Sequence, residues 1–189
     1  MRQGPIAILL SLAGITGGCG APFNIKTRTT VPAAYSSFGG SRTVMFSIEA
    51  MRDEDALYDT FDANLILAGM LPVSVKVTNS GSEAVDLKQT RFGVTSPEGR
   101  TFKSIDSRAV LKRLMAFYEI STYSKAGYKT SRDGLASHQL DTIAPLGPGE
   151  SREGMIFFRL PEDIIRRTDL TFVISKLDRT PSDVPLKLN

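Results

Sequence analysis

From Leu71 to Thr78 the chain follows a strict alternation. Leu71, Val73, Val75 and Val77 point one way, and Pro72, Ser74, Lys76 and Thr78 point the other. Period two places successive side chains on opposite faces, which makes this segment a half-buried strand. Weaker versions of the pattern surround it. Val44, Phe46 and Ile48 alternate with mostly polar neighbours between Thr43 and Ala50. Ala84–Leu87, Arg91–Val94 and Thr101–Lys103 read as short strands, with Ser96-Pro97-Glu98-Gly99 as a tight turn. Met155, Phe157 and Arg159 share one strand face, with Ile156, Phe158 and Leu160 on the other, and Leu170–Ser175 is the last strong strand. Short strands with turn signals at close spacing predict a mainly β fold, an antiparallel sandwich.

Two helical insertions interrupt the strands. Asp53 can cap a first helix in which Leu57, Phe61 and Leu65 recur every four residues, with Gly69 able to end it. Asp53-Glu54-Asp55 complements the dipole of that helix. A second helix is expected near 106–120, because Val110, Leu111, Leu114, Phe117 and Tyr118 form one apolar face. Residues 123–134 are polar and read as a mobile loop, and the tail from Asp178 to Asn189 is punctuated by proline.

The N-terminus carries an address. Arg2 precedes the apolar run Ile6–Ile15, which is too short for a spanning helix of about 20 residues. Its length suits a secretory signal. Thr16-Gly17-Gly18 then leads to Cys19, the only cysteine of the chain. This layout resembles the lipobox of bacterial lipoproteins, with residues 1–18 as signal peptide. The resemblance implies that Cys19 is acylated and carries the chain on a membrane. Gly20 follows it in place of the Asp that signals inner-membrane retention in enteric bacteria, which implies an outer membrane facing the periplasm. Two or more acyl chains give stable anchoring, whereas one gives marginal binding.

An acylated Cys19 leaves no thiol for catalysis, disulfides or zinc. About 170 residues follow the leader, enough for one domain with a sizeable core. Residues 19–42 read as a lipidated flexible tether, spanning on the order of 25 Å r.m.s.. Phe23, Ile25, Val31 and Tyr35 leave open that part of this stretch docks as an extra strand. The folded domain is then 43–189. A net charge of +3 and export both argue against nucleic acid as a partner.

Leu71–Asn79 followed by Val85-Asp86-Leu87 resembles the strand–Asn–turn–strand unit of bacterial immunoglobulin-like lipoprotein domains. Pro148-Gly149-Glu150 followed by Gly154–Phe158 is similar to the turn and strand that close such sandwiches. The resemblance covers about half of the mature chain and implies an immunoglobulin-like sandwich. It carries no catalytic residue with it.

Catalytic constellations are scarce. His138, the single histidine, has no metal-ligand spacing around it and reads as a surface residue before a strand. No nucleophile-elbow pattern supports a serine hydrolase, and no cofactor motif is present. Gly147-Pro148-Gly149 is a turn, because proline removes an amide that an anion site would use. The candidate binding residues lie in the middle insert: Arg108, Lys112 and Arg113, interleaved with Tyr118, Tyr123 and Tyr128. A basic, tyrosine-bearing surface suits an anionic envelope component or an envelope protein. The expected function is a non-catalytic binding or adaptor domain on a membrane. The alternatives are an assembly subunit of an envelope complex, with an apolar patch beside Leu111 and Phe117, or a hydrolase using His138. Replacing Cys19 by Ser is expected to leave unprocessed precursor in the inner membrane, detected by immunoblot of fractionated membranes. Normal processing of that variant would overturn the lipoprotein reading.

Overall fold

The computed structural model describes residues 20–28, 35–41, 43–177 and 184–188. The leader, Cys19 and Val31 lie outside the described residues. In chain order the elements are β1 (Ser37–Gly40), β2 (Val44–Ala50), α1 (Glu54–Phe61), β3 (Met70–Asn79), β4 (Arg91–Thr95) and β5 (Thr101–Ile105). They continue as α2 (Ser107–Phe117), α3 (Lys125–His138), β6 (Ser151–Arg159), α4 (Glu162–Ile165), β7 (Leu170–Ser175) and β8 (Val184–Leu188). Every strand pairing is antiparallel, in the order β1-β2-β3-β6-β5-β4-β7-β8. Strands β4 to β7 form a Greek key, with β7 returning beside β4. The fold is therefore an antiparallel β-sandwich that nearly closes on itself.

β5 makes the corner between the two halves. Its first residues, Thr101–Lys103, pair with β4, and Ser104 and Ile105 pair with β6. The far edges, β1 and β8, come side by side, and the Ser37 hydroxyl donates to the Lys187 carbonyl at 2.5 Å. Bringing the edges together covers backbone groups that would otherwise template aggregation.

Two apolar layers share β3 and β6 as a common wall. On the inner face, Val73, Val75 and Val77 oppose Ala50, Ile48 and Phe46 of β2. A chain of rings crosses the sandwich, from Phe46 to Phe92 (6.5 Å), Phe92 to Phe172 (5.9 Å) and Phe172 to Phe158 (5.8 Å). Edge-on and tilted contacts of this kind add about 0.5–1.5 kcal/mol each beyond area burial. On the outer face Phe157 meets Phe61 of α1 at 6.1 Å, and Phe61 meets His138 of α3 at 5.1 Å. Phe157 and Phe158 are neighbours in sequence and fully buried, one in each layer.

The expected turn after β3 is built around Asn79. Its amide nitrogen donates to the carbonyls of Glu83 (2.7 Å), Leu146 (3.0 Å) and Gly147 (3.1 Å). Its amide oxygen accepts from the Gly81 N–H at 2.9 Å. One buried side chain thus ties the end of β3 to its own turn and to the turn before β6.

Several expectations are corrected. The first helix ends at Phe61, not Gly69, because Asp62 turns left-handed with φ 55°. Ala84–Leu87 is no strand, and Val85 makes only an isolated bridge to Leu146. Residues 123–134 are not a loop, since most of them lie in α3. The Ser124 hydroxyl caps that helix by accepting from the Gly127 N–H at 2.8 Å. The tail contains β8, where Pro185 is tolerated on an edge strand.

The tether expected over 19–42 is docked in both of its described stretches. Residues 37–40 form β1, and Phe23 is buried to 4 % exposure. Phe23 and the backbone bonds around it outweigh the polar composition that suggested free chain.

Asn79→Ala removes the donor shared by the Glu83, Leu146 and Gly147 carbonyls, the Leu146 bond being buried, and frees both turns. It should cost about 2–3 kcal/mol and lower Tm by roughly 5–10 °C in thermal melts followed by circular dichroism.

Candidate functional site

The six insert residues do not share one surface. Arg108 and Lys112 are exposed, one turn apart on α2. Arg113 leans the other way, and its Nε donates to the Ala68 carbonyl at 2.8 Å. The Tyr118 hydroxyl accepts from the Asn64 N–H at 3.0 Å, and its ring packs edge-on against Phe23 at 5.9 Å. Tyr118 is therefore a structural residue, against its expected place in a binding surface. Tyr123 and Tyr128 face each other at 5.6 Å where α3 begins. Leu111 is fully buried, while Phe117 remains 39 % exposed.

α3 carries a stripe of small and polar residues, and residues 20–26 lie along it. A methyl group at Gly127 would stand 2.4 Å from the Gly20 carbonyl oxygen, and one at Gly134 would stand 3.0 Å from Ile25. Only chain lacking a Cβ allows that approach. The Phe23 N–H donates to Ser131 Oγ at 3.1 Å, and the same hydroxyl donates back to the Phe23 carbonyl at 2.7 Å. Two turns further on, His138 Nε2 donates to the Lys26 carbonyl at 2.7 Å. The Lys26 N–H reaches the Thr60 carbonyl at 3.0 Å, and the Asn24 N–H reaches Asp62 Oδ2 at 3.0 Å.

His138 is thus a buried clamp, 3 % exposed, and not the surface residue the sequence suggested. Its bond to a carbonyl fixes the proton on Nε2, while among the described residues Nδ1 is buried without a partner. Among the described residues no serine or carboxylate is hydrogen-bonded to the ring. Burial pushes its pKa below the usual imidazole value, with Arg28 adding to the fall and the Lys26 bond opposing it.

Two cavities flank this arrangement. The first, about 520 Å³, lies over the outer face of the sheet between the docked segment and α1. Met51, Met155 and Ala56 give it apolar walls. Its charges neutralise one another: Arg28 pairs with Glu153 at 3.4 Å, Lys76 with Glu153 at 3.3 Å and Lys26 with Asp59 at 3.6 Å. Burial and the nearby Glu153 raise the Tyr35 pKa, with Arg28 acting against them, so its hydroxyl stays protonated.

The second cavity, about 650 Å³, is a groove with a different balance. Its apolar lining includes Leu67, Phe102 and Phe117, and Leu67 and Phe117 remain 46 % and 39 % exposed. Arg113, Arg159 and Arg166 rim it, against the single carboxylate of Glu162. Arg159 and Arg166 are exposed, and among the described residues neither pairs with a carboxylate. Of the six basic and tyrosine residues expected to bind, Arg113 lines this groove, beside Phe117 of the expected apolar patch, and His138 lines the first cavity. Sequence reasoning missed Arg159 and Arg166, which reach the groove from the end of β6 and from just after α4. Arg159 was legible only as a charge ending an apolar strand.

No family model matches the sequence, and no curated protein sequence matches it. Among solved structures, an uncharacterised β-sandwich protein from Clostridium difficile 630 superposes with a TM-score of 0.37 at 12 % identity. The match covers 78 % of this chain and 87 % of that one.

The clamp predicts a pH dependence. Unfolded His138 binds a proton near pH 6.5, more readily than the buried ring does. Protonation therefore favours unfolding, and stability is complete above about pH 6.5 and falls as the pH drops below it. The exposed carboxylates with lowered pKa, such as Glu150 and Asp169, act at lower pH. Circular-dichroism melts should show Tm falling between pH 7.5 and 5.5, and His138→Gln should flatten that slope.

Proposed function

We propose that this chain is a lipid-anchored, non-catalytic binding domain of a bacterial envelope, with Cys19 as its anchor. Its sandwich belongs to the immunoglobulin-like type that the Leu71–Leu87 unit resembles. The basic, apolar groove is its binding site. The observation that carries this reading is the unpaired charge of that groove. Among the described residues, two exposed arginines stand without carboxylate partners beside the exposed side chains of Leu67 and Phe117. A third, Arg113, is already held by the Ala68 carbonyl and so loses little freedom on binding.

Arginine beside exposed apolar side chains suits a partner that brings a carboxylate next to an apolar group. An acidic, apolar segment of another envelope protein has that chemistry. The first cavity supports binding less well, because its ion pairs would have to break before they could meet a ligand. Nothing in this reading requires a cofactor or metal.

The test uses the anchored protein in cells. A photo-crosslinking amino acid at Phe117 should give a discrete envelope-protein adduct. Combining Arg159→Glu with Arg166→Glu should abolish the adduct while leaving Tm unchanged, since both side chains are exposed. An adduct of equal yield from the charge-reversed chain would refute the groove as the binding site.

A further inference from the structure

The described chain begins at Gly20, and Gly20 is not free. Its carbonyl lies against Gly127 in the first turn of α3. From there the segment runs in the same direction as the helix: Phe23 meets Ser131, Ile25 meets Gly134 and Lys26 meets His138. Cys19 is bonded to Gly20, and consecutive Cα atoms are about 3.8 Å apart. Acylation of Cys19 would therefore attach lipid one residue from Gly20, which lies against the first turn of α3.

The residues at that end suit a head-group layer. Tyr123 is 40 % exposed and stacks with Tyr128. Tyrosine, with an apolar ring and a polar tip, is enriched at membrane–water interfaces. Lys125 and Lys129 are exposed on the first turns of α3, which carry no acid. Lys129 is also paired with Asp133 at 2.6 Å, so Lys125 is the freer cation. The amide dipoles of the helix add positive potential at the same end.

We infer that Tyr123, Tyr128 and Lys125 form a membrane-contact face that seats the domain directly on anionic lipid head groups. The inference rests on acylation of Cys19, the anchoring reading given above. It goes further by fixing which end of the domain touches the lipid. α3 then points away from the bilayer. Its 14 residues carry its far end about 20 Å from its start.

The chain contains no tryptophan, so a single indole can report depth. Tyr123→Trp places it on the proposed contact face. Ile143→Trp places it past the far end of α3, at a residue 78 % exposed. Each full-length protein is purified from membranes, checked for acylation by intact mass, and incorporated into vesicles of phosphatidylethanolamine and brominated phosphatidylglycerol. The expected result is blue-shifted emission and several-fold stronger bromine quenching at position 123 than at 143. Adding Lys125→Glu should reduce the quenching at 123. Equal, weak quenching at both positions in acylated protein would overturn the contact face and leave the anchor standing. A bare Cys19 thiol would overturn the anchoring reading and the contact face together.

Discussion

The absence of two methyl groups organises one side of this molecule. At Gly127 and Gly134 the α3 surface is low enough for the backbone of residues 20–25 to lie against it. Any side chain at Gly127 would strike the Gly20 carbonyl. The bonds of Ser131 to both backbone groups of Phe23 depend on that approach, and so does the reach of His138 to Lys26. Phe23 in turn supplies the ring on which Tyr118 rests. The packing of α1, α2 and α3 on the outer sheet face therefore includes the N-terminal segment as a full member. The first cavity is walled partly by that segment.

The division of the core into two layers explains the composition of β3 and β6. A strand with one face in water alternates apolar and polar residues. A strand covered on both faces reads as an apolar run. β6 does both: Arg152 and Glu153 lie near its start, and Ile156-Phe157-Phe158 is buried throughout. β3 shows the same change, buried from Met70 to Val73 and alternating beyond. Helical cover lies over the apolar ends of both strands, and the first cavity opens beyond it, beside Ser74 and Glu153.

Residues differed in how plainly they announced their places. Leu71–Thr78, Val44–Ile48 and Leu170–Ser175 showed themselves because each keeps an apolar alternation. α2 showed itself because Val110, Leu111 and Leu114 are large aliphatics at helical spacing. α3 stayed hidden because three of its four buried residues are Gly127, Ser131 and His138, which no apolar periodicity detects. β1 and β8 carry Gly39, Gly40 and Pro185, residues that signal turns and are tolerated at strand edges. The groove was out of reach for a different reason. Arg113 is 46 residues from Arg159 and 53 from Arg166 in sequence, and only the fold of the domain brings them to one rim. The insert's other basic residues looked like one surface because they are close in sequence, yet α2 turns Arg108 and Arg113 to different sides.

The seat of the N-terminal segment also sets an order of events. Phe23 is emerging from the ribosome when Ser131, 108 residues further along, has yet to be made. Contacts at that separation close late, after the loop between them has lost its freedom. Until α3 exists, the backbone near Gly20 lacks the helix it packs against and is accessible to a processing enzyme. Once the helix forms, the same backbone is held against it. Under the proposed anchoring, maturation at Cys19 would belong to that earlier interval, and completion of the fold would close the window.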